Sequence, residues 1–364
     1  MPNPLDDHRI AEVRAYQPQG RYPRTIGRNA RLGSHGIGPR SQVRVLVTDQ
    51  GASGWGLSGR PDLESPNLIG RRVADLIHPA YGVVDPDGLP YDFPLHDLAA
   101  HILGVPVWRM LGGVGPPTLL AYDGAIYMDD LDPEDAPCGT PAVLANCAQD
   151  WELGYRAFKL KIGRGNRWMP AEAGLARDIE VTRAVREAYP TAPILVDANN
   201  GYSGDHFLRY LAEVADCKLY WIEEPYHENA SDLHRLKEFL GEHSPETLIA
   251  DGEAGYHVPT VLDLASRGLI DVAIMDISGL GFTPWRRLMP EVLAAGCQTA
   301  PHTWGHQLKT FYVAQFSAGV GRCLCSEGVP GTVDGVDTSA FGWDDGYLRV
   351  PAEAPGFGLA LAAA

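Results

Sequence analysis

The chain of 364 residues is 45% hydrophobic and 21% charged, which is enough to bury a large core and too long for one ordinary domain. Its formal net charge of −16 argues against nucleic acid or an anionic membrane as a partner, because both attract basic surfaces. The apolar stretches are shorter than the roughly eighteen residues of a membrane span, and the N-terminus lacks the pattern of an export signal, so we expect a soluble, cytoplasmic protein.

Residues 1–116 carry a pattern that predicts a separate α+β domain. Alternation of apolar and polar residues over residues 9–17 and 41–49 predicts two half-exposed strands, and helical patterns follow near residues 63–76 and 95–103. The C-terminal segment GYLRVPAEAPGFGLAL is rich in Pro and Gly. We expect residues 335–364 to return to this domain and complete it as a capping domain.

A glycine-rich segment, RYPRTIGRNARLGSHGIGPR, occupies residues 21–40 and is predicted to be a mobile loop. Its arginines concentrate positive charge in an otherwise acidic chain: Arg21, Arg24, Arg28, Arg31 and Arg40. Two interpretations stay open. The segment contacts an anionic, polyhydroxylated substrate, with Arg24 and His35 as the candidate residues, or its arginines form ordinary surface ion pairs.

Residues 117–334 alternate between short β-branched or apolar runs and amphipathic helical stretches, which is the pattern of a (β/α) barrel. A doubly wound sheet is the alternative, but it would favour a glycine-rich phosphate turn, and neither GxGxxG nor GxxxxGK[ST] occurs. Eight strand-like runs are predicted, at residues 119–126, 157–162, 194–199, 219–224, 247–253, 271–276, 298–302 and 322–327.

The residues that end these runs should meet at the carboxyl-terminal mouth of the barrel, and all of them are polar. They are Lys159, Lys161, Asp197, Asn199, Glu223, Glu253, Asp276, His302 and Glu327. A single acidic residue at a strand end is more often a helix cap. Three carboxylates in phase on consecutive strands, Asp197, Glu223 and Glu253, instead favour a site for a hard cation such as Mg²⁺.

Lys159 and Lys161 lie two residues apart in FKLKI, so both ammonium groups project from the same strand face. Lysines that protect an edge strand are the alternative, but the flanking apolar residues indicate that the opposite face is buried. Two cations side by side and near a metal should depress each other's pKa. We therefore expect a lysine that can serve as a general base near neutral pH.

His302 ends one strand and Asp276 ends the preceding one, so the carboxylate is expected to orient the imidazole of a second base. His306, His227 and His257 are rivals, but His302 is favoured by its position at a strand end. Glu327 is expected to stay protonated and donate a hydrogen bond to a developing oxyanion.

Taken together, KxK, VDAN, WIEEP, GE, MD and a strand-end His resemble the enolase superfamily, and within it the mandelate racemase subgroup. The resemblance covers essentially the whole chain and implies a modified (β/α)7β barrel with an α+β cap. It implies that Asp197, Glu223 and Glu253 bind Mg²⁺, that Lys161 and His302 are opposed acid/base residues, and that Asp276 is the partner of His302. It also implies that Lys159 and Glu327 touch the substrate carboxylate, with Asn199 as a further contact. Glu224 stays possible in place of Glu223, and Asp251 in place of Glu253.

These residues predict Mg²⁺-dependent removal of the proton α to a carboxylate, which gives an enediolate. We favour dehydration of an aldonate or aldarate to a 2-keto-3-deoxy product, by a homo-oligomer without an organic cofactor. Racemisation, epimerisation or cycloisomerisation on the same site is the alternative. A non-catalytic anion-binding barrel is the alternative from another class, and a metal-dependent hydrolase is disfavoured by the lack of an early His-x-His pair.

Overall fold

The computed structural model describes residues 3–59 and 67–362. Residues 63–66 of the helix predicted at 63–76 lie outside this part of the chain, and within it a single helical turn, Val73–Leu76, is present. No helix in the described ranges is long and apolar enough to cross a lipid bilayer.

An antiparallel sheet of three strands forms the centre of the N-terminal part, in the order Ile10–Tyr16, Val43–Thr48, Ser53–Leu57. Helix Asp92–Leu103 lies against it at Gly54, where a Cβ atom would come within 2.1 Å of the backbone nitrogen of Leu98. Only glycine permits this close approach of helix and sheet. The other strands and helices here are Gly20–Arg21, Ile77–His78, Gly82–Val83 and Val107–Met110, with 3-10 turns at Pro4–Asp7 and Pro86–Tyr91.

Eight parallel strands follow, and all eight predicted runs are represented, although most strands are shorter than predicted. In chain order, and called the first to eighth parallel strands below, they are Thr118–Ile126, Phe158–Lys161, Ile194–Asp197, Trp221–Glu223, Leu248–Asp251, Val272–Ala273, Gln298–Thr299 and Ser326–Gly328. Each of the first six pairs with the next in chain order. A parallel bridge joins Thr299 to Cys323, and the eighth strand pairs with the first. The predicted α/β domain with a parallel sheet is confirmed.

Helices separate the parallel strands and bury their apolar sides against them. In helix Gly204–Val214 the buried residues Phe207, Tyr210, Leu211 and Val214 recur at spacings of three and four, as the sequence predicts. The helices of this part are Thr140–Glu152, Ala171–Ala188, Gly204–Val214, Ala230–His243, Val258–Ser266, Ile277–Leu280, Phe282–Ala294 and Gln307–Val320. Short 3-10 turns lie at Asp129–Leu131, Arg164–Asn166 and Ala215–Cys217.

The alternation of side chains along the strands separates an apolar layer from a charged one. In the second strand Phe158 and Leu160 join the core that faces the helices, while Lys159 and Lys161 project to the opposite side. On that opposite side lies a second apolar cluster, which includes Leu195 and Trp221. These two residues precede Asp197 and Glu223 by two positions in their strands. On this side of the second, third and fourth strands the charged side chains Lys161, Asp197 and Glu223 therefore lie at the carboxyl ends.

The C-terminal segment contacts both parts of the chain. Strand Tyr347–Arg349 pairs antiparallel with the first parallel strand, and Gly342–Asp344 pairs with Tyr347–Arg349. Beyond it, the backbone nitrogen of Phe357 donates to Asp97, on the N-terminal helix. Further short strands are Thr332–Val333, Val336–Asp337 and Ala360–Leu361. The apolar side chain of Leu348, which is fully buried, explains why this strand adds to the larger sheet.

Candidate active site

Two buried lysines lie at the carboxyl end of the second parallel strand, inside a group of carboxylates. The Lys159 ammonium is 2.7 Å from Oε1 of Glu223 and 2.7 Å from Oε1 of Glu327. Lys161 forms an ion pair with Asp197. Because both lysines are at most 2% exposed, the pair points inward rather than into solvent.

Three carboxylates from successive strands converge beside these lysines. Asp197, Glu223 and Glu253 each offer an oxygen, and the three oxygens lie within 4.8 Å of one another. Opposite ligands of a Mg²⁺ ion are separated by ~4.2 Å, twice the usual metal–oxygen distance. One oxygen, Oε2 of Glu253, is buried without a hydrogen-bond partner among the described residues. The donor chemistry and the spacing therefore fit a hard divalent cation.

The geometry separates the alternatives that the sequence left open. Glu224 is not a member of the group of three carboxylates, and its Oε1 accepts a hydrogen bond of 2.6 Å from the backbone of Ala254. Burial and the charges of Glu253 and Asp197 raise the pKa of Glu224 to about 8. Oδ1 of Asp251 accepts from the backbone of Gly252. Glu223 and Glu253 are therefore the members of these two pairs that join the group.

Three residues near the strand ends have left-handed backbone conformations. Asn199, Asn200 and Glu224 have φ angles of 43°, 58° and 40°, in a region that non-glycine residues occupy only rarely. The third strand ends at Asp197, two residues before Asn199, and the fourth ends at Glu223, directly before Glu224. Oδ1 of Asn199 is buried without a partner in the described structure. Such strain is typical of functional sites, where the surrounding structure fixes it.

On the other side of the group, His302 lies between carboxylates. Its Nδ1 is 3.0 Å from Oδ2 of Asp276, and its Nε2 is 3.2 Å from Oε1 of Glu253 and 3.4 Å from Oε2 of Glu327. The imidazole is thus oriented through Nδ1, and Nε2 faces the group. Burial lowers the pKa of His302, but the neighbouring carboxylates raise it more, to a value above the usual range.

Asp276 has two functions in the structure, because it is also the N-cap of helix Ile277–Leu280. Its Oδ1 accepts from the backbone nitrogens of Ser278 and Gly279. Its Oδ2 is shared by His302 and by Lys309, whose Nζ is 2.7 Å away. Lys309 also donates to the carbonyl of Trp304. Lys309 is not among the residues predicted from the sequence, where its only local signal is a cation in the first turn of a helix, a position that the helix dipole disfavours.

Two predictions about protonation are wrong. Glu327 does not stay protonated: burial raises its pKa, but Lys159, His302 and Lys161 lower it to about 2. Its Oε2 accepts from the backbone nitrogens of Thr303 and Trp304. Lys159 lowers the pKa of Lys161, as predicted, but neither lysine is depressed below the usual range. Burial lowers the pKa of each, but the adjacent carboxylates raise both above the usual value.

The arginines of residues 21–40 mostly follow the ion-pair interpretation. Arg21 pairs with Asp334, and Arg28 pairs with Asp132 and Glu134. Arg24, a predicted substrate contact, is bound by both oxygens of the buried Asp150, at 2.7 and 2.8 Å. Its guanidinium is therefore committed to a structural contact and does not reach the carboxylate group.

The same segment is anchored to the site, which corrects the expectation of a mobile loop. Arg31 donates two hydrogen bonds of 2.6 Å to the carbonyls of Asn199 and Asn200. His35 donates through Nδ1 to the carbonyl of Gly27 at 3.0 Å. The charges that influence His35 include those of Lys161 and Glu253, which places its imidazole beside the group. Burial lowers the pKa of His35, so it is a neutral contact.

A cavity and an aromatic wall complete the surroundings. The cavity, of about 900 Å³, lies between the N-terminal part and the parallel strands and reaches Glu253, Asp276 and Lys309. The wall consists of Tyr127 and Trp304, with ring centres 4.8 Å apart. Tyr127 directly follows the first parallel strand, and Nζ of Lys161 is 5.2 Å from its ring centre. No site residue is predicted from the sequence at the end of this strand, although its position in the chain is predicted.

Comparison with known proteins identifies the class to which this fold and site belong. Residues 142–364 match the family model described as Enolase C-terminal domain-like, and the chain belongs to this family. The match confirms the predicted enolase superfamily membership, and with it an enzyme of the lyase or isomerase type. Magnesium is the cofactor of this superfamily.

Similar proteins include solved structures from Geobacillus sp. A galacturonate dehydratase, complexed with D-galacturonate and 5-keto-4-deoxy-D-galacturonate, is 32% identical over 98% of this chain and 95% of that chain, with a TM-score of 0.87. A mandelate racemase/muconate lactonizing protein complexed with magnesium/tartrate is also 32% identical, over 98% and 94% of the two chains, with a TM-score of 0.90.

A curated relative is the D-galactarolactone cycloisomerase of Agrobacterium fabrum, which is 26% identical over 62% of this chain. The match spans 56% of the length of that relative.

Proposed function

We propose that this protein catalyses the Mg²⁺-dependent dehydration of a sugar acid. One observation carries the proposal: Lys161 and His302 reach the same group of carboxylates from two sides, one beside Asp197 and the other beside Glu253. A base on each side of a bound carboxylic acid can remove the α-proton and assist departure of the β-hydroxyl.

The side chains divide the reaction between them. Asp197, Glu223 and Glu253 would hold Mg²⁺, which supplies Lewis-acid stabilisation of negative charge on the substrate carboxylate. Lys159 is placed to neutralise a second carboxylate oxygen. Lys161 or His302 removes the α-proton to give the enediolate, and the residue on the other side donates a proton to the departing hydroxyl. Lys161 can act as the base only when the negative charges of its carboxylate neighbours are neutralised, because those charges raise its pKa.

Hexuronates are the first substrate candidates. The Geobacillus dehydratase complex contains D-galacturonate and 5-keto-4-deoxy-D-galacturonate. These two compounds differ by loss of the proton α to the carboxylate and of the hydroxyl β to it, with ketonisation of the resulting enol. The likeness extends over 98% of the present chain. Aldonates and aldarates, which the sequence analysis favoured, undergo the same chemistry and form the second group.

The fold proposed for this activity is the modified (β/α)7β barrel. The support is the series of strand pairings that returns from the eighth parallel strand to the first. Such an arrangement brings the carboxyl ends of the strands to one mouth, where active sites of barrel enzymes lie. The proposed capping domain comprises residues 1–116 with residues 335–364, and the proposed barrel residues 117–334.

The test is a panel of hexuronates, aldonates and aldarates incubated with the purified protein and MgCl2, with α-keto acid detected as its semicarbazone. We expect product from at least one acid, and none after EDTA treatment. Lys161→Ala and His302→Asn should each lower the rate by ~100-fold or more, the scale of general acid–base catalysis. Lys237→Ala, which removes a lysine paired with Asp271 outside the group, is the matched control.

The same reactions run in deuterated water separate the alternatives. Dehydration gives the keto acid, whereas racemisation or epimerisation returns the α-carbon epimer with solvent deuterium at that carbon. Binding of acids without exchange or product would contradict the proposal and favour the non-catalytic anion-binding alternative.

A further inference from the structure

The hydroxyl of Tyr127 is a buried polar group without a hydrogen-bond partner in the described part of the chain. The residue is only 1% exposed, so solvent does not supply the missing partner. Burying a hydroxyl without a partner is unfavourable, and such groups are rare in native proteins. A group of this kind beside an active site indicates a partner that arrives with the ligand.

The location of Tyr127 connects this hydroxyl with the reacting end of the proposed site. The residue follows the first parallel strand, Thr118–Ile126, at the carboxyl edge of the sheet. Its ring centre is 5.2 Å from Nζ of Lys161. Burial, and then the charge of Glu327, raise the pKa of Tyr127 well above its usual range, so the hydroxyl is a neutral donor.

The ring is held from two sides, which fixes the direction of the hydroxyl. The imidazole of His35 packs edge-on, with ring centres 4.6 Å apart, and Trp304 packs at 4.8 Å. The backbone nitrogen of Trp304 is itself bound to Glu327. These contacts involve the faces and edges of the ring, so they leave the hydroxyl of Tyr127 free to form a hydrogen bond.

We propose that Tyr127 is a specificity residue whose hydroxyl hydrogen-bonds to a hydroxyl oxygen next to the carboxylate of the bound acid. The inference rests on the proposed function, and it assigns a residue to the hydroxyl next to the carboxylate, which every acid of the proposed substrate class carries. An acid without the hydroxyl would leave the Tyr127 hydroxyl buried and unpaired in the complex. Sites that offer a hydrogen bond discriminate strongly against ligands that cannot accept it.

Tyr127→Phe is the direct test, because it removes one oxygen and preserves both ring contacts. Tyr210→Phe is the matched control: its hydroxyl is also buried, but it is 2.7 Å from Oγ1 of Thr182. We expect the thermal midpoint of Tyr127→Phe to equal or exceed that of the wild type, since no protein hydrogen bond is lost. Tyr210→Phe should lower the midpoint and leave turnover unchanged.

Ligand binding gives the second measurement, with tartrate and succinate as probes in the presence of Mg²⁺. The two acids share both carboxylates, and only tartrate has hydroxyls next to them. By titration calorimetry, Tyr127→Phe should weaken tartrate binding about three- to tenfold, the value of one net hydrogen bond. Succinate binding should be the same for both proteins.

Equal tartrate affinity in the wild type and Tyr127→Phe would overturn the inference. It would also be overturned by a variant that melts earlier and binds both acids less tightly, since this is the result of a purely structural role. A wild type that dehydrates no sugar acid, yet shows the tartrate-specific loss in Tyr127→Phe, would contradict the proposed dehydration while supporting a hydroxy-acid subsite at Tyr127.

Discussion

Replacing Glu253 with glutamine should remove most of the stabilisation that Mg²⁺ gives to the folded protein. If fully ionised, the carboxylates of Asp197, Glu223, Glu253 and Glu327 carry four negative charges. Lys159 and Lys161 offset two of them, which leaves an excess of two when His302 is neutral. A divalent cation balances this excess. Without it, burial and the adjacent carboxylates raise the pKa of Glu223 well above its usual range.

The expected size of the effect follows from binding linkage and from the length of the chain. Mg²⁺ at about one hundred times its dissociation constant stabilises the native state by ~2.7 kcal/mol. The unfolding entropy of globular proteins, ~2.1 cal/mol/K per residue, gives ~0.76 kcal/mol/K for 364 residues. The wild-type midpoint should therefore rise by roughly 3–4 °C.

Glu253→Gln loses one ligand and one negative charge. Removing an outer-shell partner of a metal ligand costs up to about a hundredfold in metal affinity, and we expect at least this loss when a ligand itself is replaced. At about a hundredfold lower affinity, the same Mg²⁺ concentration stabilises the native state by only ~0.4 kcal/mol, which raises the midpoint by about half a degree. In the metal-free protein the variant should differ little in stability from the wild type, because it loses the 3.2 Å contact of Glu253 with His302 but also the repulsion by which Glu253 raises the pKa of Glu223 and Glu224.

The assay is differential scanning calorimetry with EDTA or with MgCl2, and Glu224→Gln is the control. With its pKa raised to about 8, Glu224 is mostly protonated at pH 7, so glutamine replaces it with little change in charge. This control should keep the full Mg²⁺-induced shift. An equal shift in Glu253→Gln and the wild type would refute the assignment of Glu253, and a lost shift in Glu224→Gln would refute the choice of Glu223 over Glu224. Because a proton competes with the cation at Glu223, the wild-type shift should also be larger at pH 8 than at pH 6.

Two further predictions concern the residues around His302. Burial raises the pKa of Asp276, but hydrogen bonds from His302 and Lys309 hold it well below the usual range. The stabilising contribution of the Asp276 carboxylate is therefore complete above pH ~4, the pKa of the unfolded state, and is lost as the pH falls towards the lower pKa of the folded state. The midpoint difference between wild type and Asp276→Asn should therefore shrink from pH 7 to pH 3, and a constant difference would contradict the assignment. Lys309→Met should lower kcat by about tenfold with little change in KM, because the Asp276 carboxylate loses a charged hydrogen bond. Lys309→Arg should restore part of the lost kcat. An unaltered kcat in Lys309→Met would argue against a positioning role for Lys309.

Much of the site was predictable from the sequence because short-range periodicity determines which side chains share a face. The two-residue spacing of Lys159 and Lys161 alone places both on one side of the second parallel strand. Parallel strands in register then bring Asp197 beside Lys161 and Glu223 beside Asp197. These relations depend on neighbouring residues and on the alternation of strands and helices, both of which a sequence displays.

The tertiary structure alone decided the relations that depend on distant groups. Glu223 joins the group of three carboxylates and Glu224, whose backbone is left-handed, does not. Nothing in the sequence EE distinguishes these two residues. The pKa directions of Lys161 and Glu327 depend on the balance between burial and charges from other strands. Arg24 binds Asp150, which is 126 residues away along the chain, and therefore does not reach the carboxylates of the site. The sequence determined which groups are available at each strand end, and the packing of the whole chain determined their partners, because electrostatic and hydrogen-bond energies depend on distance in space rather than along the chain.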